Sequence, residues 1–321
     1  MNQSLQRHID ELVHHSRPRA KSLIVSLLGD VIEPRGGSFW VGTLIDLMAP
    51  FNINERSVRT SLQRLGQDGW LDAERHGRRS RYHLTRTGRA RIVQARRRFY
   101  EPPLDQWHGQ WLVAFAPPGS LQAWQRSRLR QLLDWEGYSM IASGLFVHPL
   151  GSRQTMAEIL SELGLEQQVF VFVSESLDSP TLRTLRDGIS DFWDLEDAET
   201  RYLDFEHRFA NWLPILETDP GDVEPAQYFQ TRLLAIHLFR RASLHAPRLP
   251  SSLFPADWAG LRAYETCRLL YLHVWQGADA YIEAVRAEAG EPVAEMDQAF
   301  FERFGGLNGR NRAASQIRVR E

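Results

Sequence analysis

A short segment after Pro50 combines side chains that could contact nucleic acid with the spacing of one helix. Asn54 is a good N-cap, and Ile53 and Val58 are spaced as a hydrophobic staple, so a helix is predicted to start here. At about 100° per residue, Val58, Leu62 and Leu65 fall on one apolar side. The opposite side carries polar groups of the types that reach phosphates and base edges. These candidate contact residues are Arg56, Arg59, Thr60 and Gln63.

A basic hairpin is predicted directly after this helix. The strands Trp70–Arg75 and Ser80–Leu84 are joined by the turn His76-Gly77-Arg78-Arg79. Guanidinium groups at such a tip suit phosphates or a narrow minor groove. The candidate residues of the hairpin are Arg78, Arg79 and Arg81.

The elements before the polar helix complete a recognisable order. Residues Arg19–Val31 have helical spacing of apolar residues, Phe39-Trp40 suits a short strand, and Thr43–Met48 forms a second helix that stops at Pro50. A polar helix face or a basic hairpin alone is more often solvated surface. Three helices followed by a Gly-Arg-Arg hairpin within 70 residues instead predict a winged helix-turn-helix that binds DNA.

The charge distribution supports a nucleic-acid-binding head. Residues 1–100 hold 18 Arg and Lys against 9 Asp and Glu, whereas the rest of the chain holds 20 against 31. Lys21 is the only lysine, which points to coding bias, so the choice of arginine itself carries little information. The difference in net charge, positive in residues 1–100 and negative in the rest of the chain, does not depend on the choice between arginine and lysine.

Composition excludes several classes of protein. Cys267 is the only cysteine, so an internal disulfide framework and a cysteine-based zinc finger are excluded. No apolar run reaches the length of a membrane span, and the start lacks a signal peptide, so we expect a cytoplasmic protein. No chelating pattern predicts a metal site.

We predict an α+β chain of three consecutive domains. The winged helix occupies residues 1–100, and Pro102-Pro103 forms a linker. Residues 101–178 have the βαββαβ order of a ferredoxin-like domain. Residues 179–321 form a mostly helical domain.

Several sequence runs along the chain together resemble one known family. The N-terminal runs are Ser26–Asp30, Arg35–Trp40, Glu55–Arg59, Arg64-Leu65, Gly69–Leu71 and Gly77–Ser80. The middle run is Leu133–Tyr138, and the C-terminal runs are Ile236–Arg241, Leu249–Gly260 and Phe301–Asn308. These runs resemble the PaaX family, the repressors of phenylacetic acid degradation operons, whose middle domain is Cas2-like. The resemblance implies a homodimer that binds operator double-stranded DNA and is released by phenylacetyl-CoA or a related aryl-acyl-CoA. It also implies that residues 179–321 serve effector binding and dimerisation. It implies no cofactor.

An acyl-CoA effector would need arginines for its phosphates and an apolar pocket for its acyl group. The candidate residues for this site are Arg232, His237, Arg240, Arg241, Trp258 and Arg268. The alternative is structural, because buried arginines in helical domains commonly pair with carboxylates and aromatics at helical spacing commonly form core.

Two other functions remain open at this stage. The first strand of the middle domain, Trp111–Ala116, runs into Pro117-Pro118 without a carboxylate, which argues against a metal-dependent nuclease. No nucleophile motif or nucleotide-binding loop is present, so no enzyme is predicted. The alternatives are an acyl-CoA hydrolase hidden in the C-terminal helices and a Cas2-like adaptor that binds nucleic acid without sequence preference.

Overall fold

A computed structural model describes residues 1–101, 107–175, 189–218, 222–244, 246–247, 249–255, 257–292 and 294–307. The linker predicted at Pro102-Pro103 lies outside these residues. The strands are β1 (Ser38–Trp40), β2 (Leu71–His76), β3 (Arg79–Leu84), β4 (Trp111–Phe115), β5 (Ser139–Ala142), β6 (Leu145–His148) and β7 (Phe170–Ser174). The first helices are α1 (Gln3–Ser16), α2 (Ala20–Leu27), α3 (Val41–Met48), α4 (Glu55–Gln67), α5 (Arg86–Tyr100), α6 (Ala123–Trp135) and α7 (Arg153–Leu163). The later helices are α8 (Ile189–Phe192), α9 (Leu195–Phe209), α10 (Trp212–Thr218), α11 (Pro225–Ser243), α12 (Ala259–Glu288) and α13 (Gln298–Phe301). None of the described helices has the length and apolar character needed to cross a membrane.

The chain forms two compact units, each built from separate stretches of sequence. The first unit comprises Met1–Pro102, Tyr202–Leu244 and Arg262–Glu321, and the second comprises Pro103–Arg201 and His245–Leu261. Residues after 189 are thus shared between the units. The division into three consecutive domains, at residues 1–100, 101–178 and 179–321, stays a prediction.

Residues 20–84 contain the helices and strands expected at the N-terminus. The sequence analysis predicted a regular helix to Val31. Helix α2 instead ends at Leu27 and is followed by a π-helical turn, Leu28–Ile32. Strand β1 pairs with β3, and β3 pairs with β2, in an antiparallel sheet of order β1-β3-β2. The predicted third helix and hairpin are confirmed as α4, β2 and β3, with bounds shifted by one or two residues.

Helix α11 lies at the centre of the first unit. Phe229, Leu233, Leu234 and Phe239 are all buried, as expected for a helix surrounded by protein on every side. It packs against α1, α2 and α5. Helix α1 has no counterpart among the predicted elements. The centre of the first unit therefore brings late parts of the chain onto the first helices.

The second unit contains the predicted βαββαβ order. Strands β4 to β7 form an antiparallel sheet of order β5-β6-β4-β7. Leu112 and Phe146 on one face pack with α6 and α7. Trp111 and Val147 on the other face pack with the segments around Trp193 and Leu253. Both faces of the sheet are therefore packed against other segments of the second unit.

Candidate nucleic-acid interface

Helix α4 separates an apolar side from a polar side as predicted. The Asn54 side-chain Oδ1 accepts a hydrogen bond of 2.9 Å from the backbone N–H of Ser57, which confirms the N-cap. Val58, Leu62 and Leu65 are buried. The opposite side chains are exposed and, with Glu55, line one shallow surface depression: Arg56, Arg59, Thr60 and Gln63. The structure thus brings all four candidate residues of this helix together.

Two of these four side chains make contacts within α4. The Arg59 Nε donates to Glu55 Oε1 at 2.7 Å, one helical turn earlier, and both side chains are more than half exposed. The Thr60 hydroxyl donates to the carbonyl of Arg56 at 2.8 Å. An exposed ion pair of this kind contributes only a few tenths of a kcal/mol, ~0.3–0.5. Arg59 can therefore exchange Glu55 for another acceptor at low cost.

The three hairpin arginines occupy different environments. Gly77 adopts φ +62°, which allows the two-residue turn, and Arg78 is exposed in that turn. The Arg79 guanidinium lies 4.4 Å from the centre of the Trp40 ring and donates to the carbonyl of Ala289. Arg81 donates to the Ser38 hydroxyl at 2.8 Å. Within the described residues, Arg78 is the one of these three arginines that makes no hydrogen bond or ring contact with another part of the chain.

Three of the candidate effector residues form a polar seam between α2, with the π-helical turn after it, and α11. The Arg240 guanidinium donates to the hydroxyl groups of Ser22 and Ser26, each at 3.0 Å. The ring Nδ1 of His237 lies 2.9 Å from the Ser26 hydroxyl, and Arg232 reaches Asp30. Serine or aspartate recurs every four residues along α2, so the seam follows one side of the helix.

Asp30 is the centre of a buried ion network. Its Oδ2 accepts from Arg232 Nε at 2.7 Å, and its Oδ1 accepts from Arg303 Nη1 and the hydroxyls of Tyr100 and Tyr271 at 2.8 to 2.9 Å. Burial alone would raise the pKa of Asp30, but Arg232 and Arg303 outweigh it and the pKa is lowered. The carboxylate is therefore held ionised inside the protein.

The π-helical turn supplies further acceptors to the same arginines. Arg303 donates to the carbonyls of Gly29 at 3.1 Å and Asp30 at 2.9 Å, and Arg232 donates to the carbonyl of Asp30 at 3.2 Å. A π turn interrupts the regular i to i+4 pattern and so exposes carbonyls to outside donors. Two arginines from distant parts of the chain thus hold the end of α2.

Burial also changes the titration of the seam. Desolvation, with Arg240 and Arg241 nearby, lowers the pKa of His237 to about 3, so its ring is neutral. Desolvation and the charge of Arg241 lower the pKa of Arg240 to about 10. Both effects follow from packing α11 against α2.

The remaining effector candidates are dispersed. Arg241 is exposed near the end of α11, and Arg268 pairs with Glu265 at 2.6 Å on α12. Trp258 belongs to the second unit, where it is buried and stacks on Phe254 with ring centres 4.7 Å apart. The effector role of all six candidates stays a prediction.

The sequence analysis missed Asp30, Arg303 and Glu291. Asp30 carried a signal, because a carboxylate among Leu27, Leu28 and Val31 on a predicted apolar side indicates a buried partner. Arg303 and Glu291 carried none, since the contacts that give them these places, to Asp30 and Thr43, span more than 240 residues of the chain. The described residues hold no group of three or more His, Cys, Asp or Glu side chains suited to a metal ion.

Comparisons with known proteins match nearly the whole chain. Family models described as "PaaX-like protein", "PaaX protein central Cas2-like domain" and "PaaX-like protein C-terminal domain" match residues 19–88, 104–185 and 193–284. The transcriptional repressor PaaX of Escherichia coli (strain K12) is 33% identical over 300 residues, which is 92% of this chain and 93% of that protein. The solved structure of the uncharacterized protein Rv0674 from Mycobacterium tuberculosis is 22% identical, with a TM-score of 0.47 over 74% of this chain and 89% of that one.

A basic exposed helix, a basic hairpin and a Cas2-like sheet, in a chain with a repressor as relative, define a regulator of transcription rather than an enzyme. The three matching domains and the extent of the identity make the assignment specific. The chain belongs to the PaaX family of repressors.

Proposed function

We propose that this regulator represses transcription by binding operator DNA through a winged helix-turn-helix in residues 19–84. Helix α4 enters the major groove, and the β2–β3 hairpin acts as the wing. The observation that carries the proposal is the exposed set of Arg56, Arg59, Thr60 and Gln63 opposite the buried side of α4. Arginine, threonine and glutamine can contact guanine, the thymine methyl and adenine.

The dimensions of α4 support this role. Its 13 residues span about 20 Å, and the diameter of an α-helix with its side chains, about 10–12 Å, fits a major groove about 12 Å wide. Arg56 and Arg59 lie in its first turns, the part of a recognition helix that reaches base edges. The wing presents Arg78 at its turn, where it suits a phosphate because such contacts need only a cation within reach.

We extend the proposal to the effector and the assembly on the strength of family membership. Phenylacetyl-CoA, or a related aryl-acyl-CoA, releases the operator, and the binding species is a homodimer. Two arrangements of the protein are needed, one that binds DNA and one that does not. The ligand releases DNA if its affinity for the second arrangement is higher than its affinity for the first. A difference of about 3 kcal/mol shifts the equilibrium roughly 150-fold.

The test is fluorescence anisotropy of the purified full chain on labelled promoter DNA from upstream of its own operon. The titration is run alone and with phenylacetyl-CoA, free phenylacetate or acetyl-CoA, beside scrambled DNA of equal length. We expect tight binding to the promoter that only phenylacetyl-CoA abolishes. Size-exclusion chromatography with light scattering measures the assembly, for which we expect a dimer.

Each outcome separates one part of the proposal. Tight promoter binding that is indifferent to phenylacetyl-CoA keeps the repressor and rejects the effector. Equal binding to promoter and scrambled DNA rejects operator recognition and favours a Cas2-like adaptor without sequence preference. A monomer that binds the promoter tightly rejects the homodimer alone.

A further inference from the structure

The segment just after α12 contacts the start of helix α3 and the wing. Glu291 Oε1 accepts hydrogen bonds from the backbone N–H of Trp40 at 2.8 Å and from the Thr43 hydroxyl at 2.5 Å. Two residues earlier, the Ala289 carbonyl accepts from the Arg79 guanidinium. We name this set of contacts the α12 clamp. It joins the segment just after α12 to the start of α3, at Trp40 and Thr43, and to the wing, at Arg79.

The donors held by the clamp are of the chemical types that bind DNA phosphates in other proteins. Trp40 is the N-cap of α3, and its own side chain makes no capping hydrogen bond, so the Glu291 carboxylate is the anion seated at this helix N-terminus. The Thr43 hydroxyl and Arg79 complete a set of N–H, O–H and guanidinium donors. Proteins use the same three donor types to hold the DNA backbone.

The clamp is not fully satisfied inside the protein. Glu291 Oε2 pairs with Arg286 Nη2 at 3.2 Å, and both side chains are at most 4% exposed. The Nε and Nη1 of Arg286 have no hydrogen-bond partner within the described part of the chain. A buried guanidinium with two unmet donors is costly. The contact therefore leaves buried guanidinium donors that a second anion at this place can satisfy.

We propose that the Glu291 carboxylate occupies the place of an operator phosphate, so that the α12 clamp is an autoinhibitory contact covering a phosphate subsite. This subsite comprises the Trp40 N–H, the Thr43 hydroxyl and Arg79. The inference rests on the proposed function, because it requires that α4 and the wing bind DNA. If only a fraction of the protein molecules is unclamped, the apparent dissociation constant for operator DNA equals the intrinsic constant divided by that fraction.

The first test is Glu291→Gln in the full chain, measured by anisotropy on the operator. The amide keeps an acceptor for the Trp40 N–H but removes the charge that pairs with Arg286 and the helix N-terminus. We expect operator affinity to rise about fivefold or more as the unclamped fraction grows. Glu288→Gln is the matched control, because Glu288 is exposed at the end of α12, three residues before Glu291, and its loss removes the same charge. Equal affinity of Glu291→Gln and parent, or an equal gain in both variants, overturns the proposal.

A second variant tests the subsite itself. Thr43→Val is close to isosteric and removes only the hydroxyl from a buried position. In the Glu291→Gln background, where the clamp is weakened, we expect Thr43→Val to lower operator affinity several-fold because a phosphate contact is lost. No change in affinity in that background excludes Thr43 from DNA binding and overturns the subsite.

Hydrogen exchange of the full chain with and without operator separates the two proposals. We expect operator to protect α4 while peptides covering residues 286–292 exchange faster. Protection of α4 with unchanged or slower exchange at 286–292 overturns the clamp and leaves the DNA-binding proposal intact. No protection of α4 and no promoter preference in any variant overturns the proposed function, and the clamp with it.

Discussion

Arg59 lies on the exposed side of α4 and pairs with Glu55 in the DNA-free chain. We expect Arg59→Ala to lower operator affinity by about 1–3 kcal/mol and to relax preference at one operator position, because a guanidinium to guanine contact is lost. Competition anisotropy with single-base operator variants measures both effects. Arg201→Ala is the matched control, since Arg201 forms the same kind of exposed i,i+4 pair, with Asp197. Operator binding by Arg59→Ala like that of the parent would place the recognition surface elsewhere.

His237 makes the stability of the folded chain depend on pH. Burial lowers its pKa to about 3, whereas an unfolded chain binds the proton below about 6.5. Its contribution is therefore fully present above about pH 6.5 and is lost progressively as pH falls towards the folded value. From about pH 7 to about pH 5, we expect the parent to lose about 2 kcal/mol more unfolding free energy than His237→Gln.

Urea unfolding at the two pH values measures this difference. The control is His14→Gln, because His14 is exposed on α1 and meets water in both the folded and the unfolded chain. We expect this variant to follow the parent at both values. A parent and His237→Gln with equal pH dependence would show that the buried ring takes up its proton without cost.

At the scale of elements, the π-helical turn joins α2 to α11 and to the segment after α13. Asp30 is the shared partner of Arg232 and Arg303, and all three side chains are buried. We expect Asp30→Asn to lower the free energy of unfolding by about 3–5 kcal/mol, because it leaves two buried cations without their carboxylate. Denaturant unfolding measures the change.

The control for this prediction is Asp46→Asn. Asp46 is exposed on α3, and an exposed substitution of this kind changes stability by within about 0.5 kcal/mol. If Asp30→Asn is as stable as Asp46→Asn, the buried network does not hold α2 in place. A large loss confined to Asp30→Asn assigns the effect to the network.

Elements that depend on short-range signals could be predicted from the sequence. The Asn54 N-cap, the period of Val58 and Leu62, and the Gly77 turn each act within a few residues, and α4 and the hairpin appear where these signals place them. Helix α1 carried a usable signal too, because its buried residues follow a helical period: Leu5, Ile9, Leu12 and Val13.

The roles of the charged residues could not be predicted in the same way. Arg232 and Arg240 were assigned to an effector because their sequence neighbours are apolar. The hydrogen-bond partners that they have in this structure, Asp30 and Ser22, lie more than 200 residues away in the chain. Local spacing shows that a buried arginine needs an anion or acceptor but not which one supplies it. The π turn is hidden for the same reason, since its carbonyls are bound by distant arginines.

At the scale of the whole molecule, the excess of positive charge in residues 1–100 predicts binding that weakens with salt. Each phosphate neutralised by the protein releases counterions, so the logarithm of the binding constant falls linearly with the logarithm of salt concentration. Arg78 is exposed at the wing turn, and its role is a phosphate contact without base preference. We therefore expect Arg78→Ala to weaken binding to operator and to scrambled DNA alike and to reduce the salt slope by about 1.

The measurement is a series of anisotropy titrations on both DNAs at several salt concentrations. Arg130→Ala is the matched control: Arg130 is exposed on α6 and pairs with Asp134, so its loss removes one cation from outside the proposed interface. Because net charge changes equally in the two variants, a lower slope in Arg78→Ala alone assigns the released counterions to the wing. Equal slopes in parent and both variants would mean that the hairpin does not reach the DNA backbone, and that α4 binds without a wing.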